Sequence, residues 1–467
     1  MAMADEPPAY IYQATYHYLE TLINQAPPGT RQKLPSLRDL AQRLGISIST
    51  AQAAYSMLEA QGRIYCVARS GYYADVPAAA PLAGPCQDLL ERVHEAASGW
   101  GMRVLSHNDP TVWLSLESEL LKAERDLARQ HPGLKATVPH PFGEPDLRRT
   151  LAARYTSSPQ RFWCAEDVYV GADLRAVLEI LFTVMCLKGK AVLVFTPCSW
   201  LLLDLLAAAG ARVVVMPLHV NGEVDLGLLE HLLVSENVTA ALLCSALCAP
   251  QGTVLPAAQK LQVAALLQRH GTWLVENDVH GEYCFEPTPR LRNLVDPERL
   301  VVFGSLDKVI GAEAPYGYLL SRHWRAELER VFLQRAFRLP PTRQKAVARL
   351  YRNGRVDAHL NCANLSMQQR LACAQLRLEQ ALAQLVECRM PQGGATLWLR
   401  SRYPVNMRGV FERLVKQRIV IAPGDIFSRQ GQHPHCLRIS AAAADDEALF
   451  AELCAALANA LAAERLA

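Results

Sequence analysis

Between Asp167 and Lys308 the chain alternates short apolar runs with helical stretches, and nothing else in it limits the fold as strongly. VYV, AVLVF, ARVVVMPL, TAALLCSAL, TWLVEND and LVVFGSL read as buried strands, with helices over 172–187 and 201–209 among the segments between them. Strand and helix in turn call for a mostly parallel sheet with helices on both faces. Apolar residues make up 51% of the chain and aromatics 7%, which suits helices laid on a sheet better than an all-β core. In such a sheet a ligand sits beyond the carboxyl ends of the strands. That directs attention to Gly171 and to residues 197–200, 250–252, 276–280 and 305–308.

A chain of 467 residues is too long for one ordinary domain, and its start follows a different pattern. In residues 11–25, Tyr12, Tyr16, Leu19 and Ile23 fall at helical spacing before Pro27, Pro28 and Gly29 break the run. Ser36 is a good N-cap for a second helix over 37–44, whose Leu37, Leu40, Ala41 and Leu44 form one stripe, and Gly45 suits the left-handed position that ends it. Ser47 or Ser49 caps a third helix with Ala51, Ala54, Tyr55 and Leu58 facing inward. Two β-type runs, 63–68 and 72–76, follow with Arg69-Ser70-Gly71 between them, a hairpin small enough to be a wing. Helix, tight turn, helix and wing place the later helix in the major groove of double-stranded DNA.

Charge alone would not point there. The formal net charge is +3, and within residues 1–76 Arg31, Lys33, Arg38, Arg43, Arg63 and Arg69 are balanced by Asp5, Glu6, Glu20, Asp39, Glu59 and Asp75. Any phosphate binding must come from local placement. The 13 cysteines include no CxxC pair, and Cys244 and Cys248 lie in an apolar run, so reduced core thiols explain them better than a metal site. Residues 1–10 are acidic and Pro-containing, unlike a cleavable signal, and the apolar stretches are too short or interrupted to span a bilayer; a cytoplasmic protein is expected. The Ala/Pro-rich stretch 74–83 reads as a semi-rigid spacer, with an amphipathic helix beginning near Gln87. The expected organisation is a DNA-binding head over 1–76, a linker over 77–100 and a large domain over 101–467, with a small subdomain from about residue 330.

LPSLRDLAQRLGISISTAQAAYSMLEAQGRI followed by RSGYY resembles the DNA-binding domain of the GntR family of bacterial regulators. That resemblance implies phosphate or base contacts from Ser36 and Arg38, groove-facing positions for Ser47, Ser49, Thr50 and Gln52, and a wing contact from Arg69. Many relatives carry an arginine early in the recognition helix, where Ile48 and Ser49 stand here. The remainder is similar to a fold-type-I, pyridoxal-phosphate-dependent aminotransferase, on the segments FGEPDLRRTLAARY, APQGTVL, VENDVHGEYCFE, FGSLDK, PQGGATLWL, IAPGDIFS and CLRIS. The two together have the layout of the MocR subfamily. The implied fold class is an α+β winged helix-turn-helix, then an α/β transferase-like large domain with a smaller C-terminal α+β subdomain.

By the same resemblance Lys308 stands where the Schiff-base lysine stands, Ser305 where a serine binds the cofactor phosphate, and Arg438 where an arginine grips a substrate carboxylate. Gly171 and Trp200 complete the implied cofactor site, with Trp200 one residue past the stacking position at Ser199. Ser305 and Lys308 also match an SxxK pattern, but the SDN and KTG partners of those serine enzymes are missing. Several positions depart from the family. Asn277, or Asp278 with a slip of one, takes the place of the aspartate against the pyridine nitrogen, and His280 that of a tyrosine. Ala249 replaces the asparagine of an Asn-Pro-x-Gly turn, Pro315 a phosphate-binding arginine and Val138 a tyrosine lent by the partner subunit. Pyridoxal 5'-phosphate is the implied cofactor, held as an aldimine on Lys308 or more weakly, and efficient transamination is not expected. The expected function is a homodimeric DNA-binding regulator whose large domain senses pyridoxal phosphate or another small amino-acid-like effector. The alternative is an aminotransferase carrying a DNA-binding domain.

Overall fold

The computed structural model describes residues 15–16, 18–19, 22, 31–60, 64–67, 70–75, 89–107, 114–130, 138–244, 246–429, 431–441 and 447–466. Its internal contacts divide the chain into two units, 1–88 and 89–467.

In the first unit, Thr15, Tyr16, Tyr18, Leu19 and Leu22 are helical, and Leu19 is fully buried. Tyr12, Ile23 and the wing residue Arg69 lie outside the described residues. Ser36 caps the helix Leu37–Leu44 by accepting from the Asp39 amide, and Gly45 ends it at φ 64°, donating to the Ala41 carbonyl. Of the two serines expected to cap the next helix, Ile48–Ala60, the structure uses Ser47, whose Oγ accepts from the Thr50 amide at 3.1 Å. Ala51, Ala54, Tyr55 and Leu58 are all fully buried, as their spacing predicts. Strands β1 (Arg31–Lys33), β2 (Tyr65–Val67) and β3 (Gly71–Asp75) form an antiparallel sheet in the order β1-β3-β2. The wing is the β2–β3 hairpin. β1 was not expected, because RQK has no apolar alternation and owes its extended form to pairing with β3. Ala74 and Asp75, read both as part of the second β run and as the start of the spacer, belong to β3, and the Ala74 methyl is buried in the core.

The second unit begins with the helix Leu89–Ser98 and a short strand β4 (Arg103–Val104). Its main sheet has strands β5 (Val168–Val170), β6 (Ala191–Thr196), β7 (Arg212–Pro217), β8 (Val238–Cys244), β11 (Trp273–Asn277), β12 (Leu300–Ser305) and β13 (Gly317–Ser321). They run in the order β5-β13-β12-β11-β8-β6-β7. All are parallel except β13, which is antiparallel to both neighbours and was not among the expected strands. A hairpin of β9 (Leu247–Cys248) and β10 (Thr253–Val254) follows β8. Both faces are covered. Leu193, Leu243 and Val302 enter one apolar cluster, while Val192, Val194, Leu242, Val301 and Phe303 enter another on the opposite face.

A second sheet belongs to a smaller subdomain: β14 (Val386–Cys388), β15 (Thr396–Ser401), β17 (Ala422–Pro423) and β18 (Cys436–Ser440), in the order β14-β15-β18-β17. β16 (Ile419–Val420) pairs with β4. Leu397, Leu399, Leu437 and Ile439 pack against Val93, Phe411 and Leu457 from three helices. Alternation along β15 and β18 therefore puts Trp398, Arg400, Cys436 and Arg438 on the other face. The helix Leu89–Ser98 helps build this core.

Candidate functional site

Gly171, Trp200, Asn277, His280, Ser305 and Lys308 all lie at or just after the carboxyl ends of β5, β6, β11 and β12, which are parallel or aligned in parallel through β13. The topology thus brings the expected residues to one end of the sheet, and Arg438 comes from the second sheet. Their side chains are held in definite ways.

Ser305, buried at the end of β12, donates its hydroxyl to Asp307. Lys308 Nζ forms an ion pair with the other Asp307 oxygen at 3.1 Å, and its side chain is 19% exposed. One carboxylate thus joins the serine and the lysine. The Lys308 carbonyl accepts from the Tyr283 hydroxyl, which pins the short helix Asp307–Ile310. Gly171 donates its amide to the Gly317 carbonyl at 2.9 Å, and a Cβ there would lie 2.5 Å from a Val177 methyl. The helix that follows, Leu174–Val184, is capped by Asp173, whose carboxylate accepts from the Ala176 amide at 2.7 Å.

Asn277 ends β11, and its Oδ1 accepts from the Val279 amide at 3.1 Å. Asp278 is buried in a separate network. Its carboxylate takes the Tyr155 hydroxyl at 2.8 Å, Arg292 Nη1 at 3.1 Å and Arg290 Nη1 at 3.3 Å. Arg292 also binds Glu276 at 2.7 Å, and the Tyr155 and Tyr318 hydroxyls are 2.9 Å apart. Two carboxylates face two guanidinium groups, so the cluster is neutral overall. Burial, reinforced by the Asp278 charge, pushes the Tyr155 phenol well above its ordinary range and keeps it a hydrogen-bond donor. His280 is half-buried at the start of the turn 281–283.

Trp200 opens the helix Trp200–Ala208 and meets the His94 ring edge-on at 5.0 Å. Arg438 is buried: it donates to the Ser106 carbonyl, and its guanidinium lies 4.8 Å from the centre of the Phe427 ring. Cys198, in the loop after β6, donates its amide to the Phe427 carbonyl at 2.9 Å, which ties this region to the strand ends. Val138 is 90% exposed.

Sequence reasoning missed a cavity of about 560 Å³ between the loops after β7 and β9 and the open face of the second sheet. Among its walls are His219, Gln251, Arg389, Trp398, Arg400 and His433, and none of the expected cofactor residues. His433 bonds Thr196 at 2.9 Å across the junction between the sheets, and burial holds its pKa down to about 4. The histidines of QHPHC were the available sequence signal, but their partners lie far apart in the chain.

In the first unit Arg38, Ser49 and Gln52 are exposed, with Ile48, Ala53 and Met57 beside Ser49 and Gln52 on the outward face of their helix. Ser47 Oγ lies 2.8 Å from Ser49 Oγ and 2.7 Å from Thr50 Oγ1. The hydroxyl cluster therefore caps the helix and faces outward at its N-terminus, where anions are favoured. Among the described residues no helix is long and apolar enough to cross a membrane, and no cluster of His, Cys, Asp or Glu has metal-binding geometry.

An antiparallel-winged head and an aminotransferase-type α/β unit define the class. Residues 11–73 match the family described as "Bacterial regulatory proteins, gntR family", and residues 104–457 match "Aminotransferase class I and II". The HTH-type transcriptional regulator YjiR of Escherichia coli (strain K12) is 28% identical over 451 residues, covering 91% of this chain and 94% of that protein. The probable rhizopine catabolism regulatory protein MocR of Rhizobium meliloti is 24% identical, covering 62% of this chain and 60% of that protein. Among solved structures, LysN, an alpha-aminoadipate aminotransferase from Thermus thermophilus, aligns with a TM-score of 0.71 at 19% identity, over 81% of this chain and 95% of LysN. The chain belongs to the class I and II aminotransferase family over its large unit and, with its gntR head, is a transcriptional regulator of the MocR type. The head implies DNA binding, and the fold of the large unit is one that normally carries pyridoxal phosphate.

Proposed function

We propose that the large unit of this regulator is a ligand sensor and pairing module for the DNA-binding head, and that it does not turn over amino acids. The observation that carries this is the double use of Asp307, which pairs with the Lys308 ammonium and accepts from Ser305. An adjacent carboxylate favours the charged form of an amine, the reverse of what a nucleophilic lysine needs. The same carboxylate brings negative charge to the serine expected to hold a phosphate. Asp173 adds another at the helix start beyond Gly171, and Pro315 offers no cation. These residues do not fit pyridoxal phosphate, whose dianionic group requires donors and positive charge. Asn277, engaged with its own turn, is neutral and would not hold a pyridinium proton.

The head would read DNA through Ser49, Thr50 and Gln52 at the start of the recognition helix, with Ser36 and Arg38 on the backbone. Two copies joined through the large units would bring two heads to paired half-sites, as expected of a symmetric dimer. An effector would act by binding one arrangement of the dimer better than the other.

Absorbance spectroscopy of the full chain incubated with pyridoxal 5'-phosphate tests this reading. The expected spectrum is that of the free aldehyde, identical for the wild type and Lys308→Ala. An aldimine band that Lys308→Ala abolishes, together with a half-reaction on an amino acid, would overturn it. Light scattering on the same sample should give the mass of a dimer.

A further inference from the structure

We propose that the effector site of this chain is the cavity between the loops after β7 and β9 and the second sheet, and that it takes a small organic carboxylate with a planar apolar body. The inference rests on reading the large unit as a sensor, and adds where the ligand sits and what chemistry recognises it. At about 560 Å³ the cavity is in the ordinary size range of small-molecule sites. It is bounded on one side by residues 218–221 and 251–253 and on the other by β14, β15 and the loop before β18.

The charges in its wall are uneven. Arg389 and Arg400 both line it, and neither guanidinium has an ion-pair partner among the described residues. The contrast with the rest of the unit is sharp, since Arg154, Arg290, Arg292, Arg343 and Arg402 all have carboxylates. Glu387 is the one carboxylate in the wall and lies directly across from Arg400 in the β14–β15 register, yet it is paired with Arg402 at 2.8 Å. Several of the other polar walls are already engaged. Gln392 accepts from the Val254 amide, His433 bonds Thr196, and His435 contacts the Val405 backbone. The cationic groups left for a ligand are two guanidinium groups, which bind carboxylates by paired hydrogen bonds, with the exposed His219 side chain in the same wall. A low pKa keeps His433 neutral at physiological pH, so it adds no positive charge to that of the arginines.

The apolar wall is Trp398, on the same strand as Arg400 and two residues before it. Phe427 and His433 meet its ring edge-on at 5.5 and 5.9 Å. An aromatic wall beside a cationic pair suits a planar acid, with its carboxylate on the arginines and its body on the indole. Such a ligand would touch both subdomains at once, close to the Thr196–His433 bond. It would therefore favour one setting of the junction, as an effector must.

Titration calorimetry on the full chain with sodium benzoate, sodium 2-oxoglutarate and inorganic phosphate tests the proposal. Wild type, Arg400→Gln, Arg389→Gln and Lys308→Ala are compared. Both arginine side chains are exposed and have no ion-pair partner among the described residues, so their loss should leave the melting temperature unchanged. The expected result is binding of a carboxylate probe that weakens by roughly tenfold or more in either arginine variant and is untouched in Lys308→Ala. No carboxylate binding overturns the proposal, as does binding that survives Arg400→Gln or needs Lys308. Phosphate binding as tightly as either carboxylate would mean nonspecific anion binding, and also overturns it. Mobility of the protein on its own upstream DNA separates the two readings. Binding through Arg400 with no change in DNA affinity would sink the sensor role and leave the site standing. A DNA response that persists in Arg400→Gln would sink the site and leave the sensor role.

Discussion

Lys260 is fully buried on the helix Ala257–Arg269, with its ammonium held, among the described residues, by the Thr288 hydroxyl and the Pro289 carbonyl. Burial, helped by Arg290, lowers its pKa from the ordinary 10.5 to about 8. Below pH 8 the folded and unfolded chains both carry the proton, and the folded state bears the full cost of the buried charge. Between pH 8 and 10.5 only the unfolded chain keeps it, so this residue makes stability rise with pH. Lys260→Met is expected to stabilise the protein at pH 7 by an amount of order 2 kcal/mol, with a gain that shrinks as the pH approaches 10.5. Thermal unfolding of both proteins across that range checks it, and a gain independent of pH would refute the titration. Nothing in AAQKLQVAALLQR marks this lysine, since its burial depends on residues 288–290. Asp307 is a similar case. Its place between Ser305 and Lys308 is plain in the sequence, but its hold on both side chains depends on how the chain turns after β12.

The helix-turn-helix was legible because its signals are local. The Ser36 cap, the left-handed Gly45 and the apolar stripe of Ile48–Ala60 each act within a few residues. β1 and β13 were not legible, because both are defined by the strands they pair with. The recognition helix is held at its start and midway along its buried face. Ser47 caps it, the Tyr55 hydroxyl donates to the Pro35 carbonyl at 2.6 Å, and the Tyr55 ring lies 4.6 Å from Tyr72 of the wing. Ser47→Ala should cost about 1 kcal/mol of stability. It should also weaken DNA binding by more than that loss explains, because the cap orders the Ser49 and Thr50 hydroxyls. Tyr55→Phe should cost about 1 kcal/mol through the lost hydrogen bond, with a smaller effect on DNA. Equal losses of DNA affinity in the two variants would show that Ser47 acts through stability alone.

At the scale of the molecule, the parallel sheet was readable from alternating apolar runs, and with it the end of the sheet where the expected residues gather. The cavity was not, because its walls come from residues 218 to 436 and meet only when the second sheet folds against the first. The bond that marks this junction titrates. With its folded pKa near 4 and an ordinary value of 6.5, His433 remains neutral in the folded chain while the unfolded chain takes up a proton. Its contribution is therefore fully present above pH 6.5 and is lost as the pH falls toward 4. His433→Gln, which can still bond Thr196 but does not titrate, should flatten that part of the stability profile; an unchanged acid slope would place the acid sensitivity elsewhere.

The head itself makes a prediction about the whole assembly. Its charges balance and its recognition helix begins with Ile48 and Ser49 in place of arginine, so one head has few of the phosphate and guanine contacts that give tight binding. On the proposed pairing, affinity comes from tethering two heads, which converts the second contact into an intramolecular one. Footprinting of the full chain on the DNA upstream of its own gene should show two protected patches on one face of the helix, separated by a whole number of turns of about 10 base pairs. Interrupting either patch should cost affinity by a factor of roughly 100 or more, because the tether then has nothing to act on. A single patch bound as tightly as the pair would mean that each head suffices alone, and the large unit would then need another reason to pair.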